Sequence, residues 1–206
     1  MSVFGSLIDQ TEVISILKDA VEASRMVDNK TQSMTNTWLF TGPPGSGRSN
    51  AAIAFAAALV CKDGGCSKCN DCMSTIIGNH ADVELIKTAG LSIKIDEVRE
   101  LITRASWAPS VANYRVVVME DADRLTESAA NALLKVIEEP GLRTIWLLCA
   151  PTLTDVLPTI RSRCRHLSLR TPSTKAIAKL LIERDGVESS TADFVARASG
   201  GHIGRA

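Results

Sequence analysis

This chain of 206 residues has no excess charge, no long apolar run and no internal repeat. Lysine plus arginine and aspartate plus glutamate number 23 each, so the formal net charge is zero. This balance argues against a protein that coats nucleic acid through a general positive field. No apolar run approaches the roughly 20 residues of a membrane-spanning helix, and residues 1–10 lack the basic region and apolar core of a signal peptide. We therefore expect a cytoplasmic protein without a membrane partner.

Apolar runs of strand type alternate along the chain with segments of helical periodicity. Such alternation is typical of βαβ units and predicts an α/β fold, with a parallel sheet covered by helices on both faces. Asp9 and Glu12 have the spacing of a capping box at the start of the first helix. Strands are predicted at 38–40, 83–86, 115–119, 144–149 and 166–169, and helices at 10–23, 51–59, 93–106, 128–138, 174–184 and 191–198.

A glycine-rich segment between the first strand and the next helix is the strongest functional signal. It reads Gly42-Pro43-Pro44-Gly45-Ser46-Gly47-Arg48-Ser49, which is P-loop spacing with Arg48 in place of the lysine. In such a loop the free backbone N–H groups and the helix dipole converge on one spot and can hold phosphate. Arginine keeps the charge, but its bulkier planar fork does not favour fast hydrolysis. The alternative is a glycine turn that only joins strand to helix.

Two acidic residues, Glu120 and Asp121, directly follow the strand at 115–119. A P-loop NTPase uses acids at the end of a second strand to hold Mg²⁺ and to activate water. Here their order is Glu-Asp instead of Asp-Glu, and Mg²⁺–oxygen distances of about 2.0–2.1 Å tolerate little change in side-chain length. The sequence leaves two alternatives, an ATP and Mg²⁺ site or an acidic strand end exposed to solvent.

Four of the six cysteines lie within twelve residues: Cys61, Cys66, Cys69 and Cys72. Close cysteine pairs in a reducing compartment indicate a metal site, and Gly64-Gly65 and Asn70-Asp71 are suitable turn residues. Four sulfurs leave no open position for water, so we predict a structural zinc. An iron–sulfur cluster is the alternative. Cys149 and Cys164 lie beside predicted strands and are expected to be small core residues.

A short segment carries three arginines at alternate positions, Arg161, Arg163 and Arg165. One interpretation is an exposed basic edge. The other is that one arginine reaches a phosphate on a neighbouring subunit, as an arginine finger does.

Four features occur in one order: the P-loop, the cysteine cluster, the stretch NALLKVIEEP at 131–140, and Ser162-Arg163-Cys164. In this order they resemble the clamp-loader subunits of bacterial DNA polymerase III, of the delta-prime type with the gamma/tau type as close relative. The resemblance runs from about Phe4 to the last residue. It implies an AAA+ fold, with a P-loop domain at 1–170, a zinc knuckle inserted at 61–72 and a helical lid that begins at 171. The family's collar domain is absent, so we expect a fragment of a longer protein.

The resemblance also implies roles for individual residues. Arg163 matches the arginine that the family offers in trans to ATP on the adjacent subunit, and Arg205 matches the sensor-2 arginine of the lid. At sensor 1 the chain has the apolar Cys149-Ala150-Pro151, where Thr or Asn is usual. The ATP site thus departs from the family pattern three times, at Arg48, at Glu120-Asp121 and at sensor 1, whereas Arg163 is intact. This combination favours a delta-prime-like stator, which assists a neighbouring subunit without hydrolysing ATP itself.

The partners that this resemblance implies are gamma/tau and delta subunits and, through the complex, the sliding clamp and primed DNA. A second interpretation is a gamma/tau-like ATPase that uses Arg48 in the role of the lysine. A third is an AAA+ adaptor outside replication.

Overall fold

The computed structural model describes residues 2–26, 34–88, 90–141 and 143–201. Five parallel strands form one sheet in the order β2-β3-β4-β1-β5. The strands are β1 (Thr37–Thr41), β2 (Val83–Ile86), β3 (Arg115–Met119), β4 (Thr144–Ala150) and β5 (Arg165–Ser168). The α-helices in these ranges are α1 (Thr11–Ala23), α2 (Arg48–Val60), α3 (Asn70–Ile76), α4 (Ile95–Ala105), α5 (Glu127–Glu138), α6 (Pro158–Arg161), α7 (Thr174–Asp185) and α8 (Ser189–Ala198).

The strand β1 lies between β4 and β5 and is buried along its whole length. Because successive side chains of a strand point to opposite faces, β1 contributes to two cores. Trp38 and Phe40 join the cluster beneath α1 and α2, and Leu39 joins the cluster beneath α4 and α5. The Trp38 ring meets Phe55 of α2 edge to face, with centroids 5.0 Å apart. The prediction of a parallel sheet covered on both faces is therefore confirmed.

The predicted capping box at the start of α1 is wrong. The N-cap residue is Gln10, which makes no side-chain cap bond, and Asp9 has a left-handed backbone with φ 56°. The Asp9 carboxylate instead accepts hydrogen bonds from the backbone N–H and hydroxyl of Ser173, at 2.9 and 2.7 Å, which lower its pKa. The Gln10 amide bonds both the N–H and the carbonyl of Arg170. The start of α1 is thus tied to the segment that leads into α7.

The helices α7 and α8 pack on each other around a small apolar cluster of their own, separate from the two clusters on the sheet. Ser173 caps α7, because its hydroxyl accepts from the N–H of Ala176. This helical pair lies where the sequence predicts the lid, and its status as a separate domain stays a prediction.

A buried carboxylate directly before β2 holds the connection between α4 and β3. Asp82 is fully buried and accepts three backbone N–H bonds, from Ser110 (2.6 Å), Val111 (2.7 Å) and Ala112 (2.8 Å). Nη2 of Arg115 lies 3.6 Å from Oδ1 of Asp82. Burial alone would raise the pKa of Asp82, but these donors and the Arg115 charge lower it.

Replacing Asp82 with asparagine is expected to lower the free energy of unfolding by about 2–4 kcal/mol. The amide keeps one acceptor but turns an NH₂ group toward backbone donors and leaves Arg115 without its counter-charge. The pKa of Asp82 in the folded state lies below its ordinary value of 3.8. The stability that the ionised Asp82 carboxylate contributes is therefore complete above pH 3.8 and is lost as the pH falls through the folded-state pKa. Urea unfolding near pH 7 checks this, with the exposed Asp19→Asn as the control. Equal midpoints for the two variants would contradict it.

Candidate functional site

The carboxyl ends of β1, β3 and β4 meet at one edge of the sheet, where ligands of open α/β sheets commonly bind. The glycine-rich loop 42–49 leaves β1 here, and Glu120 and Asp121 leave β3. The N–H of Gly42 donates to the carbonyl of Pro151, just beyond β4, at 3.1 Å. The structure therefore brings the predicted loop, the two acids and the end of β4 to the same edge.

The glycines of the loop are required by its shape. Gly45 and Gly47 have φ of 86° and 85°, in the left-handed region that other residues rarely adopt. A Cβ on Gly42 would lie 2.4 Å from the Ser46 hydroxyl and 2.8 Å from the Leu169 carbonyl. Gly47 then begins α2 as its N-cap residue. This is a tight turn that delivers free N–H groups at a helix N-terminus.

Arg48 folds back onto its own loop. Its Nη1 donates to the carbonyl of Gly42 at 2.8 Å, and its Nε is buried without a hydrogen-bond partner among the described residues. The buried hydroxyl of Ser46 likewise has no partner in this part of the chain. Two unpartnered donors beside free backbone N–H groups fit an anion such as phosphate. One donor of the Arg48 guanidinium, however, is already engaged within the loop.

The two acids after β3 contact the chain's own donors. Glu120 lies 3.9 Å from the ammonium group of Lys87, with its side chain only 18% exposed. The Asp121 carboxylate accepts from the backbone N–H of Thr88 at 3.3 Å and lies 3.9 Å from Nε of Arg124. The two side chains are half-buried, 18% and 21% exposed, so neither is fully open to solvent. These carboxylates are partly covered and partly engaged, which leaves fewer free oxygens for Mg²⁺.

Cys149, near the end of β4, lies against the start of α2. Its thiol contacts the carbonyl of Arg48 at 3.9 Å and is near the Ser49 hydroxyl. Complete burial raises the pKa of the Cys149 thiol well above its ordinary value, so the group is a neutral, weakly polar one at neutral pH. The prediction that Cys149 is a core residue is confirmed.

The four clustered cysteines converge between α2 and β2, with all four sulfurs within 4.8 Å of one another. Sγ of Cys61 lies 3.8 Å from Sγ of Cys66 and 3.6 Å from Sγ of Cys69. Zinc–sulfur bonds of about 2.3 Å in a tetrahedron place the sulfurs about 3.8 Å apart. The cluster could hold a metal ion, and its donor set and spacing are consistent with zinc. Asn70-Asp71 does not form the predicted turn, because these residues begin α3.

Backbone N–H groups point at the cysteine sulfurs. Burial alone would raise the pKa of the Cys61 thiol, but N–H donors from Cys66, Gly65 and Asp63 lower it to about 6. Burial raises the pKa of the Cys72 thiol. Negative charge is therefore more favourable on the Cys61 sulfur than on the Cys72 sulfur. Four thiolates this close together repel one another unless a bound cation compensates their charge.

The cysteine cluster is also attached to the N-terminal part of the chain. Nη2 of Arg25 donates to the Cys61 carbonyl at 2.5 Å, and the N–H of Val3 donates to the Gly65 carbonyl at 3.0 Å. A Cβ on Gly65 would lie 2.5 Å from a methyl of Val3. Loss of order at the cluster is therefore expected to loosen residues 3–6 as well.

Arg163 follows the short helix α6 and is exposed, whereas Arg161 and Arg165 are half-buried. Nη2 of Arg163 lies 2.6 Å from Oε1 of Glu138, and its Nη1 donates to the carbonyl of Thr159 at 2.9 Å. The Arg165 guanidinium instead lies 4.8 Å from the centroid of the Trp38 ring. The three arginines thus do not form one uniform basic edge.

Arg163 contacts the end of α5 and not the glycine-rich loop, and Arg205 lies outside the described residues. Sequence patterns also missed the groups that engage the predicted site: Lys87 and Thr88 beside the acids, and Glu138 beside Arg163. Glu138 lies in the NALLKVIEEP stretch, but no local spacing links it to a residue on another helix.

A family profile described as "DNA polymerase III, delta subunit" matches residues 13–173. The chain belongs to the delta-prime/gamma-tau clamp-loader family of DNA polymerase III. It is 33% identical over 179 residues to "DNA polymerase III subunit delta'" of Bacillus subtilis, covering 85% of this chain and 52% of that protein. It is 32% identical over 208 residues to "DNA polymerase III subunit gamma/tau" of Mycobacterium tuberculosis, covering 96% of this chain and 35% of that protein. The chain spans about half of these relatives or less.

Similarity to solved structures shows that the chain has the AAA+ fold. The RuvB Holliday junction branch migration motor of Thermotoga maritima superposes with a TM-score of 0.67 at 19% identity, over 96% of this chain and 59% of that one. A gamma subunit-related protein of the same organism has a TM-score of 0.57 at 22% identity, over 94% of this chain and 60% of that one. At this identity the likeness shows the fold alone. Among the described residues, no helix is both long and apolar enough to span a bilayer.

Proposed function

We propose that this clamp-loader subunit is a delta-prime-like stator, which supplies Arg163 to ATP on a neighbouring subunit and does not hydrolyse ATP itself. The observation that carries the proposal is the contrast between two arginines. Arg48 is folded back onto the carbonyl of Gly42 with its Nε buried, whereas the Arg163 side chain is 41% exposed and contacts Glu138 and Thr159 at the surface.

The site at the end of β1 is better suited to binding phosphate groups than to hydrolysing ATP. Backbone N–H groups of the loop 42–49, together with the unpartnered Ser46 hydroxyl, can hold phosphate oxygens. Bound ATP would supply a phosphoryl group for transfer to water, and Mg²⁺ would neutralise its charge. The engaged Arg48, the covered Glu120 and Asp121, and the neutral Cys149 thiol leave the chain poorly equipped to use either.

Arg163 suits a role in trans. A guanidinium donates two parallel N–H bonds to phosphate oxygens and keeps its charge at any physiological pH. In nucleotide hydrolysis an arginine offered from outside the site stabilises the charge that develops on the transferred phosphoryl group. An exposed arginine just beyond the short helix α6 can meet a second subunit without rearrangement of the sheet.

The cysteine cluster is proposed to hold one structural zinc through Cys61, Cys66, Cys69 and Cys72. Four thiolates complete a tetrahedral shell and leave no position for water or substrate. The cluster closes the connection from α2 to β2 and anchors residues near the N-terminus, so the metal would stabilise the fold and take no part in hydrolysis.

The proposed partners are gamma/tau-type and delta-type subunits and, through their complex, the sliding clamp and primed DNA. In this arrangement residues 1–170 form the P-loop domain, residues 171–206 begin the lid, and Arg205 takes the sensor-2 position.

A gamma/tau-type ATPase is the second candidate. It is favoured by one finding, since the gamma/tau relatives match 96% of this chain and the delta-prime relative from B. subtilis matches 85%. The family match favours both of these functions over an adaptor outside replication.

ATP binding and hydrolysis by the purified protein separate the two candidates. We expect no turnover above background, because Arg48 and the acids after β3 are engaged. Arg48→Ala should then leave the hydrolysis rate unchanged, as should Arg99→Ala, an exposed control on α4. Turnover that Arg48→Ala abolishes and Arg99→Ala retains would contradict the stator and establish the ATPase.

A further inference from the structure

Arg163 is held in place by three groups of its own chain. Oε1 of Glu138 forms an ion pair with Nη2 at 2.6 Å, the Thr159 carbonyl accepts from Nη1 at 2.9 Å, and the Ser162 hydroxyl lies 3.3 Å from the same Nη1. Thr159 and Ser162 belong to Arg163's own turn of chain. Glu138 is the contact that comes from another element, the last turn of α5.

The pair of Glu138 and Arg163 has little value for folding. Their side chains are 48% and 41% exposed, and exposed ion pairs contribute little to stability because water and salt screen them. The position of Glu138 is itself unfavourable for the helix, since the carbonyls at the end of α5 carry partial negative charge. Glu139 places a second carboxylate there. Helix stability therefore does not explain an acid at position 138.

The contact leaves part of the guanidinium available. Nη1 donates to the Thr159 carbonyl and to the Ser162 hydroxyl, and Nη2 forms an ion pair with Glu138. In the described ranges the Nε–H has no partner, and Glu138 is the group paired with Nη2. A guanidinium donates to phosphate oxygens through such N–H groups. Glu138 can thus restrain the side chain and still leave the Nε–H free.

We propose that Glu138 is a positioning residue, which restrains the Arg163 guanidinium so that its unpartnered Nε–H can meet a phosphate on the neighbouring subunit. The inference rests on the proposed role of Arg163 in trans. A flexible arginine loses rotamer freedom when it engages the transition state, and a side chain already restrained loses less. Glu138 therefore acts on turnover at the neighbouring site and not on binding of ATP there.

The test compares Glu138→Gln with Glu139→Gln in the complete clamp-loader assembly. Glu139 is an adjacent exposed glutamate with no contact to Arg163 in the described structure, so it controls for loss of charge at the end of α5. We expect Glu138→Gln to lower the single-turnover rate constant for ATP hydrolysis at the neighbouring site about three- to fivefold, the range of an exposed ion pair, with the ATP concentration for half-maximal rate unchanged. Glu139→Gln should match the wild type, and all three proteins should have the same melting temperature.

The same measurements in an Arg163→Ala background identify the pathway of the effect. If Glu138 acts through Arg163, Glu138→Gln has no further effect in that background. An impaired Arg163→Ala protein with a fully active Glu138→Gln protein would overturn the positioning role and leave the stator standing. A rise in the single-turnover rate constant for Glu138→Gln would also overturn it, because the ion pair would then hold Arg163 away from the neighbouring site. No effect of Arg163→Ala itself would overturn the proposed function, and the role of Glu138 with it.

Discussion

Replacing Arg163 with alanine is expected to reduce ATP turnover at the neighbouring site of the assembled clamp loader by roughly 10³-fold or more, the magnitude seen for arginine fingers supplied in trans. The variant should fold normally, because the side chain is exposed and its pair with Glu138 contributes little to stability. Single-turnover hydrolysis by the assembly measures the effect, since slow turnover at one site is otherwise obscured by faster sites.

Two matched variants sharpen this result. Arg161→Ala removes an arginine from the same segment and should leave turnover unchanged. Arg163→Lys keeps the charge but lacks the planar fork, so it should restore a minor part of the lost rate. Turnover by the Arg163→Ala assembly equal to that of the Arg161→Ala assembly would show that the arginine does not act on ATP.

Replacing Cys69 with serine is expected to release one zinc ion per chain and to unfold the region between α2 and β2. Structural zinc contributes roughly 10–16 kcal/mol of binding free energy in zinc-finger peptides, so loss of one of four ligands should cost several kcal/mol of stability. The effect should extend to residues 3–6, because the backbone of Val3 bonds that of Gly65. Metal analysis, with thermal unfolding of the same samples, checks both expectations.

Cys164→Ser is the control for the cysteine variant. Cys164 lies outside the cluster, and its thiol donates to the Ile160 carbonyl at 3.1 Å, a bond that a hydroxyl can keep. This variant should retain its metal and its melting temperature. A Cys69→Ser protein as stable as Cys164→Ser would exclude a structural site, and iron with acid-labile sulfide in the wild type would replace zinc by an iron–sulfur cluster.

The strands were the most predictable part of the fold. β2 and β3 occupy the predicted residues, and β4 extends one residue beyond its prediction. Buried parallel strands are continuous apolar runs, and this signal is entirely local. The predicted α5 also differs by a single residue at its start, and it ends at Glu138 as predicted, before Pro140.

The errors share a physical cause, which is that polar side chains can be satisfied far from their own position in the chain. Asp9 has capping-box spacing with Glu12, yet its carboxylate accepts hydrogen bonds from Ser173, which lies 164 residues later in the chain. Asp82 shows no local pattern at all, although it receives three backbone N–H bonds. A pattern states which groups need partners and not which partners they find.

The same limit applies to the functional site. The spacing of the four cysteines predicted their convergence, because ligands of one ion must be close in space whatever the intervening chain does. The substitution at Arg48 predicted a changed loop, but the bond of its guanidinium to Gly42 required the structure. The contact of Glu138 with Arg163 joins the end of α5 to the segment after α6, and no periodicity in the sequence connects these two positions.

The position of β1 in the middle of the sheet has a consequence for synthesis on the ribosome. Both neighbours of β1 come later in the chain, β4 and then β5. Translation at roughly 5–20 residues per second takes about 5–20 s to make the hundred or so residues between β1 and β4. Throughout that time Trp38, Leu39 and Phe40 have no strand to pair with, so the nascent chain exposes this apolar strand to chaperones until the second half emerges.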